Sequence, residues 1–130
     1  MSGMTKDEIL GADDLQKQFV DVPEWGGGVW VRNLMGNKRD AFEALVLARK
    51  TGEALMAGGL RAQFCAWTIC DEDGGLLFSE DDVEKLGQKS GVALDRVFTV
   101  AHELNQMAPD DIEELGKDSE HDQSDDSGSD

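Results

Sequence analysis

Basic side chains are scarce in this sequence: 12 Lys and Arg stand against 28 Asp and Glu, for a formal net charge of −16. Nucleic acids and anionic membranes are bound through clustered Lys and Arg that replace counterions, so neither is an expected ligand. Long apolar runs are missing as well. No stretch approaches the roughly 18 to 20 apolar residues that span a bilayer, and the N-terminus has neither the basic start nor the apolar core of a secretory signal. The chain therefore reads as soluble and intracellular. Cysteine is limited to Cys65 and Cys70. They lie close together in an apolar stretch, without Cys or His neighbours at metal-ligand spacing, which points to buried, reduced thiols. At 130 residues and 39% apolar content, the chain has room for one domain with a modest core.

The charge that is present is unevenly placed. Ten acids and one lysine fall between residues 109 and 130, which is −9 of the −16, and no apolar side chain lies beyond Leu115. Such a segment cannot bury enough apolar surface to offset its ordering entropy. The expected organisation is a folded domain over residues 1–116 and a disordered acidic tail over 117–130. Residues 1–108 keep the remaining −7, so the folded part is acidic as well and basic or apolar proteins are the fitting partners.

Local patterns predict an α+β fold: a mainly helical single domain with two small β-hairpins. Thr5 and Glu8 form a capping-box pattern ahead of Ile9 and Leu10, a short helix stopped by Gly11. Phe19, Val20 and Val22, then Val29, Trp30, Val31 and Leu34, are β-favouring runs joined by the glycine-rich stretch 23–28, which predicts the first hairpin. Asn37 can cap a helix with Phe42, Leu45, Val46 and Arg49 on one face, running to about Ala57 and stopped by Gly58 and Gly59. Residues 64–70 lack helical spacing and lead through Asp73-Gly74 to Leu76, Leu77 and Phe78, which predicts a second hairpin. Ser79 caps a helix opening on Glu80, Asp81 and Asp82, with Val83, Leu86 and Val92 facing inward and a break near Gly91. Leu94, Val97, Phe98, Ala101 and Leu104 then recur at helical spacing as the core helix. Pro109 starts a last short helix anchored by Ile112 and Leu115.

Candidate chemistry is sparse. Residues 71–74 hint at a calcium loop, but position 12 of that loop would be Asp82 and position 6 would be Leu76 where glycine is required, so a hairpin turn is favoured. His102 sits among apolar helix neighbours with no nucleophile placed beside it, and His121 lies in the tail. Acid pairs such as Asp81 with Asp82 and Glu113 with Glu114 suit helix starts. Gly26, Gly27 and Gly28 lie between strands, not before a phosphate-binding helix. No enzyme activity, catalytic residue, cofactor or metal site is expected. The aromatics are more informative: three tryptophans occur among eight aromatic residues, and tryptophan is enriched at interfaces. Trp30 and Trp67 are expected in the core, and Trp25, in the glycine-rich turn, is the candidate exposed anchor. Val100 and Met107, apolar residues of the 92–107 helix outside its core stripe, complete the expected partner-binding set.

Several stretches, in order, resemble the tail assembly chaperones of long-tailed, siphovirus-type bacteriophages. They are Val22-Pro23-Glu24-Trp25-Gly26-Gly27, Val29-Trp30-Val31-Arg32, residues 71–83 with Leu86 and Lys89, and Leu94-Asp95-Arg96-Val97-Phe98 with Ala101, Leu104 and Asn105. The resemblance implies a chaperone that self-associates, coats the apolar tape measure protein until the tail tube polymerises around it, works in the host cytoplasm and is absent from the finished virion. It also implies a longer product, made by programmed ribosomal frameshifting, that recruits tail tube subunits; Gly116-Lys117 is compatible with slippery codons. The competing reading from another class is an acidic DNA mimic that inhibits a DNA-binding protein. Mimicry needs acids spread over a folded surface, whereas the largest excess here is in the tail.

Overall fold

In the first hairpin, β-branched and aromatic residues alternate about a turn that only proline and glycine suit. Strand β1 (Lys17–Val22) pairs antiparallel with β2 (Gly27–Arg32), with Phe19 opposite Trp30 and Val20 opposite Val29. The connection is a 3-10 turn (Pro23–Trp25) closed by Gly26 in the left-handed conformation, which glycine adopts without a Cβ penalty. The computed structural model describes residues 2–52 and 59–107. Within them the order continues with α1 (Lys6–Gly11) before the hairpin, then α2 (Gly36–Lys50), α3 (Gly59–Thr68), β3 (Ile69–Cys70), α4 (Val83–Leu86) and α5 (Gly91–Leu104). Strand β3 pairs antiparallel with β2, giving a three-stranded sheet in the order β1-β2-β3. The molecule is mainly helical and α+β, as expected.

The core fills the space between one face of this sheet and the helices. Val20, Val22, Val31 and Ile69 point inward from the strands and meet Leu94, Val97, Phe98 and Ala101 of α5, all buried. Phe42 of α2, Phe64 of α3 and Phe98 of α5 form a continuous aromatic spine, with ring centroids 4.7 and 5.0 Å apart. The first pair is tilted and the second edge-to-face, and rings at these separations add packing specificity beyond area burial.

Three expectations about elements are corrected. Residues 64–68, read as a strand, belong to α3, and the second hairpin shrinks to β3 turning back through residues 71–75 to a single bridge between Cys70 and Leu76. Helix α3 is buried nearly all round, so it carries no 3.6-residue polar–apolar alternation to read, and its β-favouring composition is overridden by packing. Thr68 fits this setting by donating its hydroxyl to the Phe64 carbonyl, 2.9 Å away. Helix α2 starts two residues earlier than expected, with Met35 rather than Asn37 at its N-cap, and stops at Lys50, followed by Gly52 in the left-handed conformation. Gly52, rather than Gly58 and Gly59, thus follows the end of the helix. Helix α4 ends at Leu86, and Ser90 caps a separate α5 by accepting from the Ala93 amide. Val92 therefore sits in the first turn of α5, 62% exposed. The domain boundary at 116, the acidic tail and the helix at Pro109 lie outside the described residues.

Candidate binding surfaces

Trp25 is placed by its neighbour. Glu24 and Arg96 of α5 form a two-pronged ion pair, with N–O distances of 2.9 and 2.8 Å, the bidentate geometry that guanidinium and carboxylate favour. This fork pins the turn onto α5 and holds Trp25 over a cleft of about 230 Å³, whose other walls include Phe78 and Leu86 and whose rim carries Lys85 and Lys89. The hydrogen bonds from Arg96 hold the Glu24 carboxyl down from its ordinary 4.5 to about 2. A depressed carboxylate pKa contributes stability that is complete above the unfolded value and lost as pH falls through the folded one. The fork is therefore intact at neutral pH and weakens as pH falls from about 4.5 towards 2. In an NMR titration, Glu24 should show a midpoint near 2 in the wild type, moving up towards 4.5 in Arg96→Ala; equal midpoints would show that the fork does not form in solution.

The other expected anchors are distributed differently. Trp25 and Val100 are half-buried and pack against the core, and Met107 is buried within it. Met107 is thus not outside the core, for a local reason: α5 ends in a Schellman-type turn. Gln106 adopts a left-handed φ of 53°, its amide bonds the Glu103 carbonyl, and the Met107 amide bonds the His102 carbonyl. Such a turn folds the following apolar residue back onto the helix. Trp67 is half-buried, donates from Nε1 to Glu80 (2.7 Å) and lies under Lys38. Trp30 is half-buried on the outer face of the sheet.

That outer face is the surface sequence reasoning missed. Strand pairing sets Phe19, Trp30, Cys70 and Leu76 directly opposite one another across the sheet, so all four project to the same side. Phe19 is 52% exposed and packs edge-on against Trp30 at 5.4 Å. Its ring occupies the space a side chain at position 28 would need, which is why Gly28 stands opposite Asp21. Lys17 lies over the Trp30 ring and donates to the Glu72 carbonyl, and Arg32 donates to the Gly74 carbonyl. The signal was available: once Val20 and Val22 are inward, the two-residue period sends Lys17, Phe19 and Asp21 outward. Leu47, Leu77 and Val92 are further exposed large apolar side chains.

The remaining candidates have structural occupations. Asp71 accepts amide hydrogens from Asp73 (2.8 Å) and Gly75 (2.9 Å), so its carboxylate closes its own turn. His102 is buried beside the Phe64 and Phe98 rings and does not line the Trp25 cleft. Cys65 and Cys70 are buried free thiols, and desolvation raises the pKa of both, that of Cys65 to about 12. Thiols held this far from ionisation are poor nucleophiles. Among the described residues no helix is long and apolar enough to cross a membrane.

The result is a small, strongly acidic α+β domain that presents apolar side chains and a half-open cleft to solvent, the profile of a protein that acts by binding other proteins. The chain belongs to the phage tail assembly chaperone family, whose model matches residues 11–118. Its fold is similar to that of the bacteriophage HK97 tail assembly chaperone, at a TM-score of 0.56 and 23% identity over 75% of this chain and 94% of that one. No curated relative matches the sequence.

Proposed function

We propose that this chaperone binds the tape measure protein of its phage, keeps that apolar helical client soluble in the host cytoplasm, and promotes polymerisation of the tail tube around it before leaving the assembly. The observation that carries this reading is the pairing of exposed apolar side chains, Phe19, Leu47, Leu77 and Val92 among them, with a net charge of −16. Apolar surface supplies client contact, while like charge keeps coated complexes apart. Trp25, Val100 and the outer sheet face are the surfaces assigned to binding, and Met107 supports them from within the core. The protein self-associates, and a longer product diverging by frameshift near Gly116 and Lys117 brings in tail tube subunits. Its action rests on binding rather than catalysis.

Co-expression with the tape measure protein is the direct test. The client should move into the soluble fraction and co-purify with the chain, and Trp25→Ala should weaken the capture several-fold, as loss of an aromatic anchor does. A client equally insoluble with and without the chain would refute the proposal.

A further inference from the structure

The lysines on the cleft under Trp25 stand apart from the other cations of the domain. Lys17, Arg32, Lys38, Arg39, Arg61 and Arg96 each hold a carbonyl, a carboxylate or an aromatic ring. Among the described residues Lys85 and Lys89 hold none of these, and both stand on the rim of the same apolar cleft. The turn that ends α4 brings them together: the Gln88 amide bonds the Lys85 carbonyl and the Lys89 amide the Leu86 carbonyl. Both lysines are exposed, so their stems line the cleft while the ammonium groups stay in water. Asp82, the acid of the cleft, is occupied elsewhere, its Oδ2 accepting from the Ser79 amide and hydroxyl at 2.9 and 3.2 Å. The walls are as well defined as the rim. Leu86 is buried, Trp25 and Phe78 are half-buried, and the Glu24–Arg96 fork fixes the turn that carries Trp25. The space of about 230 Å³ takes a large apolar side chain.

We propose that this cleft selects an acidic–apolar segment of the client: one large aliphatic or aromatic side chain enters between Trp25, Phe78 and Leu86, and carboxylates flanking it in sequence pair with Lys85 and Lys89. The assignment deepens the client binding proposed above and rests on it. Charge complementarity carries it. Two unengaged ammonium groups at the mouth of an apolar hollow match a ligand that is apolar at one point and anionic beside it, and the apolar walls strengthen the pairing by lowering the local dielectric. The rest of the chain sharpens the choice. With a net charge of −16, the surface repels an acidic segment in other positions, so the cleft accepts it in one register. A basic segment would be attracted at many places and fixed at none. The exposed apolar side chains thus supply adhesion, and the cleft supplies sequence preference.

The test is an array of overlapping peptides that span the tape measure protein, probed with the full chain alongside the co-expression assay. The wild type should retain peptides in which a large apolar residue is flanked by Asp or Glu. Reversing both charges, Lys85→Glu with Lys89→Glu, should weaken these spots about tenfold or more and bring up peptides flanked by Lys or Arg. Lys85→Met with Lys89→Met keeps the apolar stems and should leave binding that ignores the flanking charge. Trp25→Ala should lose the signal in each of these backgrounds. Thermal unfolding of every variant is compared with the wild type, and a gain of basic-flanked peptides by the charge-reversed chain is a result that loss of fold does not produce. A client captured on co-expression, while the charge-reversed chain retains the same peptides as the wild type, would overturn the assignment of the cleft and leave the chaperone function standing. A client captured in neither assay would refute both. Stronger retention of a peptide copied from Asp110-Asp111-Ile112-Glu113-Glu114-Leu115 than of any client peptide would make this chain's own segment the occupant and overturn the assignment to the client.

Discussion

Phe98→Ala should unfold at a markedly lower urea concentration than the wild type, losing about 3–5 kcal/mol of unfolding free energy with an unchanged slope. Phe98 is 1% exposed. Its ring packs edge-on against Phe64 at 5.0 Å and beside His102 at 5.4 Å, and it lies under the Arg61 guanidinium. Removing it opens a cavity where α3 and α5 meet, and rings fixed by the spine from Phe42 to Phe98 cannot collapse far to fill it. Domains of this size have about 5–15 kcal/mol in total, so the variant should stand near the edge of folding. Val92→Ala, in the same helix but 62% exposed, should change stability by no more than about 0.5 kcal/mol. Equal losses from both substitutions would mean that the inward stripe of α5 is misplaced.

The contrast between these two residues also shows how far the sequence could be read. Where a helix has one wet and one dry face, as α5 does, spacing alone identifies the buried set: Leu94, Val97, Phe98 and Ala101 are all buried. Where side chain and backbone answer each other locally, prediction also held: Thr5 and Glu8 close a capping box, and Ser79 forms another with Asp82. The failures come from contacts that no local pattern encodes. Helix α3 has no wet face, so residues 64–68 offered only a β-favouring composition. The turn that buries Met107 uses Gln106 in a conformation normally signalled by glycine. Trp25 was legible as a turn-borne anchor, but its half-burial depends on an ion pair between residues 72 positions apart. The outer sheet face is legible from strand parity, because buried Val20 and Val22 send Phe19 to the opposite side.

Asn105→Ala should cost about 1–3 kcal/mol and release a single amide far away in sequence. Asn105 is buried at the end of α5, and each of its polar groups has a partner. Its Oδ1 accepts from the Leu34 amide at 2.6 Å, its Nδ2 donates to the Ala101 carbonyl at 2.8 Å, and its own carbonyl accepts from Arg39 at 2.8 Å. One side chain thus joins the end of α5 to the link between β2 and α2. Alanine leaves the Leu34 N–H without its acceptor in a buried setting, and an orphaned buried donor costs more than a hydrogen bond contributes when made. The local consequence is specific: native-state hydrogen exchange at Leu34 should accelerate beyond the change in global stability, whereas exchange at Val31, deep in the sheet, should follow global stability alone. If Leu34 exchanges no faster than global unfolding allows, the Asn105 bridge is not what fastens α5 to the sheet. Asn105→Ala should leave the Glu24–Arg96 titration unchanged, because that ion pair fastens the hairpin turn to a different part of α5.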